Sequence, residues 1–71
     1  MKKYKVQAIL VERNPLGIQE TVTNSYTVTD WEEAIDHLMK KHKVSRSFLY
    51  IAMDLETQEI VFKTNENKYA K

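Results

Sequence analysis

Seventy-one residues with one glycine, one proline and no cysteine leave room for a single small domain, residues 1–71, and none for a second. At 42% hydrophobic and 30% charged, with eleven Lys and Arg against ten Asp and Glu, the composition excludes wholesale disorder and the strong overall charge of a dedicated polyanion binder. A chain this short without disulfides must bury nearly every apolar side chain it has, and self-association would relieve that shortage.

The first element in chain order is a strand from Tyr4 to Val11. Its strand formers put Tyr4, Val6, Ala8 and Leu10 on one face and Lys5, Gln7, Ile9 and Val11 on the other. The apolar run after the leading lysines is too short for a signal peptide or a membrane span. Asn14-Pro15-Leu16-Gly17 matches a type I turn, with Asn bonding back to the backbone and Gly accepting positive φ, so a hairpin follows. From Ile18 to Val28 alternation resumes: Ile18, Val22, Tyr26 and Val28 share one face, and the other, with Gln19, Thr21, Thr23, Ser25 and Thr27, is wet.

At Thr29 to Glu33 the period changes from two to 3.6, and both Thr29…Glu32 and Asp30…Glu33 have capping-box spacing. The expected helix runs from Asp30 to Lys43, with Trp31, Ala34, Ile35, Leu38, Met39 and His42 in one apolar stripe. Acids in its first turn and lysines in its last suit the helix dipole. Arg46 to Met53 is apolar on both faces, as in a strand covered on both sides, and Asp54 opens a turn without the usual glycine. A last strand, Glu59 to Lys63, sets Ile60 and Phe62 against Val61. The ordered core is expected over about residues 3–64, with a polar tail, 65–71, that frays.

The order is β-β-α-β-β, an α+β fold with one helix packed on a four-stranded, mostly antiparallel sheet. Strand order 2-1-3-4 places the two most apolar strands at the centre and is preferred. Order 2-1-4-3 resembles the β-grasp of ubiquitin-like domains in its element order.

Chemistry-bearing residues are sparse. The absence of cysteine removes thiolate nucleophiles and thiolate zinc sites and points to a reducing, cytoplasmic setting. His37 and His42 are five apart and do not share a helix face as a zinc-binding pair does, Glu33 and His37 read as an exposed side-chain pair, and His42 reads as a partly buried or capping residue. The serines lack a nucleophile elbow, and the one glycine belongs to a turn. The expectation is a non-enzymatic protein with no cofactor and no metal.

The informative pattern is a surface. With the helix on the face of Val6, Ala8, Leu10, Ile18, Val22, Tyr26, Val28, Ile60 and Phe62, the parity chosen for the third strand adds Leu49, Ile51 and Met53 to the core. The other face then carries Lys5, Gln7, Ile9, Val11, Thr21, Thr23, Phe48, Tyr50, Val61 and Lys63; the opposite parity would put Leu49 and Ile51 outside, and an apolar patch survives either choice. Lys5, Ile9, Val11, Arg46, Phe48, Tyr50, Val61 and Lys63 are the candidate contact residues of a binding or accessory protein whose partner is a protein, most simply a second copy in a homodimer. The alternative partner is single-stranded nucleic acid. Arg46-Ser47-Phe48-Leu49-Tyr50-Ile51 resembles the RNA-recognition-motif segment that follows a basic residue with two aromatics, here without its glycines, and that resemblance implies bases stacked on Phe48 and Tyr50. In that alternative Lys2, Lys3 and Lys5 at one end of the chain, and Lys40, Lys41, Lys43 and Arg46 around the helix C-terminus, could contact phosphates; the preferred reading is that they serve solubility and the helix dipole.

Overall fold

A computed structural model describes residues 1–42 and 47–69. Four strands, β1 (Tyr4–Asn14), β2 (Gly17–Val28), β3 (Phe48–Asp54) and β4 (Ile60–Thr64), form one antiparallel sheet in the order β2-β1-β3-β4, and a helix, α1 (Trp31–Lys41), lies on one side of it. The preferred strand order and the α+β architecture are both present.

The first hairpin follows from its turn residues. Asn14 Oδ1 accepts a hydrogen bond from the Leu16 N–H at 3.0 Å, and Gly17 takes φ +132°, which a side chain at that position would resist. The strands on either side are longer than the alternation implied, pairing from Tyr4↔Val28 out to Asn14↔Gly17. β3 pairs with β1 only from Tyr4 to Leu10, with one further bond from the Val11 N–H to the Ser47 carbonyl. Past that point β1 and β2 continue as a two-stranded ribbon.

The helix starts where its capping residue dictates. The Asp30 side chain accepts from the Glu33 N–H at 3.2 Å, so of the two possible caps the second is used. The helix ends at Lys41 with His42 as C-cap, short of the expected Lys43, which lies outside the described residues. Its stripe is as expected: Ile35, Leu38 and Met39 are buried, Trp31 and Ala34 pack at the margin, and Trp31 meets Phe62 with ring centroids 5.2 Å apart.

Three face assignments are corrected. On β3 the buried residues are Phe48, Tyr50, Ala52 and Asp54, so the strand turns the opposite parity to the helix from the one chosen by sequence. Pairing explains it: Ala8 stands opposite Tyr50 and Val6 opposite Ala52, and the two small alanines leave space under the helix for the Tyr50 ring. On β2, Ala8 faces Asn24 but Ile9 faces Val22, leaving Thr23 as the extra residue of a bulge; its Oγ1 donates to the Ala8 carbonyl at 3.2 Å. Val22 and Ile18 therefore turn away from the helix. On β4, Ala52 faces Phe62 but Met53 faces Ile60, so Val61 is a second bulge residue and Ile60 also leaves the core side.

Residues 65–69, expected to be a polar tail, make contacts with the helix and the sheet. Asn67 Nδ2 lies 3.0 Å from the Met39 carbonyl, the His42 carbonyl and the Tyr50 hydroxyl, and so closes the helix C-terminus. Tyr69 packs at the edge of the core and donates its hydroxyl to Asp36 at 2.7 Å.

Candidate functional site

Directly opposed residues of neighbouring strands point to the same side of a sheet, so the pairing register maps the face that α1 leaves uncovered. Its first row is Thr27, Lys5, Met53 and Ile60; its second is Ser25, Gln7, Ile51 and Lys63. The third is Val22, Ile9 and Leu49. Glu20 beside Val11 and Ile18 beside Arg13 complete it along the ribbon. Aliphatic side chains join corner to corner, from Ile60 and Met53 through Ile51, Leu49, Ile9 and Val22 to Val11 and Ile18. Polar residues flank the band, with Lys5 and Gln7 on the central strand β1 and Lys63 on the edge strand β4. At the usual strand rise the band runs about 27 Å along the strands.

Exposure agrees with this map. Ile18, Ile60 and Val22 are 65%, 56% and 51% exposed, large values for aliphatic residues inside strands. Leu49, Ile51, Met53 and Val11 are half-buried. Ile9, flanked by Val22 and Leu49, is almost covered yet stands apart from the cluster beneath the helix. The molecule measures 43 × 26 × 15 Å, a thickness that accommodates the sheet and one helix layer.

Of the candidate contact residues, Lys5, Ile9, Val11 and Lys63 lie on the open face, and Val61 is an exposed bulge residue beside Ile60. Arg46 lies outside the described residues. Phe48 and Tyr50 are corrected: at 6% and 0% exposure they form the core with His42, whose ring stacks on Phe48 at 4.2 Å. Among the described residues the open face carries no aromatic ring, so the stacking platform implied by the resemblance to RNA-recognition motifs lies under the helix. Leu49, Ile51, Met53, Val22, Ile18 and Ile60 are the contact candidates that sequence periodicity assigned to the core. A signal for Leu49 and Ile51 existed in the paired alanines, but neither bulge is marked by glycine or proline.

Titratable groups gather elsewhere. Asp36 is held well below the usual carboxylate range by the Tyr69 hydroxyl and then by Lys68 and Lys40, whose ammonium groups stand at 2.9 and 3.2 Å and are raised in return. Asp54 is lowered chiefly by the Glu56 N–H, with the Thr57 N–H and Lys2 adding to it. Both clusters fasten the fold: one ties the tail to the helix, the other orders the β3–β4 turn. His37 and Glu33 are exposed on the helix, along a shallow groove beside Tyr26 and Val28. Among the described residues no three His, Asp or Glu side chains converge as metal ligands, and no helix is long and apolar enough to cross a membrane.

Comparison with protein-family models, with curated proteins and with solved structures found no match.

Proposed function

We propose that this chain is a non-enzymatic binding or accessory protein of the cytoplasm that contacts another protein through the open face of its sheet. The observation that carries this reading is the uninterrupted aliphatic band from Ile60 and Met53 to Val11 and Ile18, on the side opposite the helix. Water meets that band directly, and contiguous apolar surface with a polar border is characteristic of a partner site. The two bulges strengthen the argument. Each redirects an aliphatic residue, Val22 or Ile60, from the helix side to the open side, at a cost in core that a small chain can least sustain.

Site-specific photo-crosslinking in cells tests the reading. A crosslinker replacing Leu49 is expected to trap a protein adduct, identified by mass spectrometry, that the same crosslinker at Glu33 on the exposed helix surface does not. Adducts of equal yield from both positions, or none from Leu49, overturn the assignment.

A further inference from the structure

We propose that the occupant of the open face is a second copy of this chain, docked face to face about a two-fold axis that crosses the aliphatic band near Ile51 and Leu49. This rests on the reading of that face as a protein-contact surface and names its partner.

Area is the first argument. The chain exposes 5280 Å², against roughly 4600 Å² for a compact monomer of its mass. Part of that excess belongs to the ribbon past Leu10, whose open side carries Val11 and Ile18, so the chain presents more surface than a closed core of its size would leave. Chemistry is the second. The band is aliphatic apart from Met53 and carries no aromatic ring among the described residues, so it resembles half of a domain core, as the more apolar homodimer interfaces do. Aliphatic surface is also complementary to itself, which a two-fold interface requires.

Charge supplies the orientation. Lys5 flanks the Met53 end of the band and Glu20 stands beside Val11 toward the other. A two-fold that exchanges the ends sets Lys5 of each copy over Glu20 of the other and leaves Arg13, at the ribbon tip, beyond the overlap. Parallel docking would instead oppose like charges. The resulting assembly is a helix-sheet-sheet-helix sandwich with its two sheets about 10 Å apart.

Light scattering from micromolar to millimolar protein is the test, combined with three variants checked for folding by circular dichroism. The parent is expected to reach twice the monomer mass, and Ile51→Lys to remain a folded monomer. Glu20→Lys is expected to weaken association about tenfold, and Lys5→Glu combined with Glu20→Lys to recover most of it. A dimer indifferent to Ile51→Lys overturns face-to-face docking, and one indifferent to Glu20→Lys overturns the orientation. If the parent is monomeric throughout, the second copy is overturned, and methyl NMR with a soluble paramagnetic agent then separates the two claims. Broadened Leu49 and Ile51 methyls leave the open face available to a different protein, while shielded methyls in a monomer overturn the contact surface itself.

Discussion

The side-chain amide of Asn67 donates to the Tyr50 hydroxyl at 3.0 Å, joining the tail to the centre of the sheet. The same nitrogen lies 3.0 Å from the carbonyl oxygens of Met39 and His42, two groups that the end of an α-helix leaves without intrahelical partners. One amide thus serves three acceptors with two hydrogens. The cap comes from residues distant in sequence, and the tail is structural because of it. Asn67→Ala is expected to cost about 1–3 kcal/mol, since partly buried acceptors lose their donor. Asn67→Asp should cost more, because a carboxylate would face carbonyl oxygens. Urea denaturation followed by circular dichroism measures both; an Asn67→Ala variant as stable as the parent would show that water replaces the amide at no cost.

Opposite parities on β3 give a sharp contrast between neighbours. Tyr50 is fully buried and Ile51 faces away from the helix. Tyr50→Ala empties the space above Ala8 and Ala52 and is expected to cost about 3–5 kcal/mol. Ile51→Lys places its ammonium in water and should stay within about 1 kcal/mol of the parent when both are measured dilute enough to be monomeric. The reverse ranking would mean that β3 presents its other face to the helix.

The elements were legible in the sequence, whereas the faces were legible only in part. Period changes at Thr29, the Asn14 to Gly17 turn and the Trp31 to His42 stripe are local signals, and they locate the first hairpin and helix to within a few residues. Assigning β3 is a different problem. Both its faces are apolar, and a period of two cannot say which meets the helix. The choice is made across strands, by the alanines at positions 8 and 52 that admit the Tyr50 ring. The bulges at Thr23 and Val61 are still less visible, because a threonine or valine inside a strand looks like any other strand residue. Each inverts the parity of everything beyond it, so Ile18, Val22 and Ile60 moved together from expected core to open face. An apolar open face is therefore legible in the sequence, while the residues that line it are legible only in part.

Acid should weaken the fold in two stages. His42 stacks on Phe48 with its Nδ1 buried and without a hydrogen-bond partner among the described residues. Burial, and then the charge of Lys41, holds its pKa below the ordinary 6.5. The unfolded chain takes up this proton more readily than the folded one, so the contribution is complete above 6.5 and is lost as pH falls through that value toward the folded pKa. Asp36 and Asp54 are both lowered from 3.8, so theirs is present above that value and is lost on further acidification. Melting temperatures from about pH 8 down to about pH 2 should fall in these two steps, the second only beginning at the acid end of that range. His42→Phe, which keeps a ring against Phe48, should remove the upper step and retain the lower. An unchanged upper step in that variant would assign it to another group.

A stabilising substitution is available in the β3–β4 turn. Gln58 has φ 62°, the one non-glycine residue with positive φ among the described residues. It is held there by a short bond from its N–H to the Asp54 carbonyl, 2.7 Å, while Asp54 Oδ1 accepts from the Glu56 N–H at 2.8 Å. The turn is fixed by Asp54 at its start, and Gln58 bears the strain of closing it. An L-residue in this conformation costs roughly 1–2 kcal/mol relative to the right-handed region, a penalty that glycine escapes. Glycine brings its own entropic cost of roughly 0.5–1 kcal/mol, which leaves a net gain. Gln58→Gly is therefore expected to stabilise the fold by about 0.5–1 kcal/mol, and Gln58→Val, β-branched and still more restricted, to destabilise it. Paired denaturant melts decide the matter: a loss of stability in Gln58→Gly would mean that the Gln58 side chain contributes more to the turn than its backbone conformation costs.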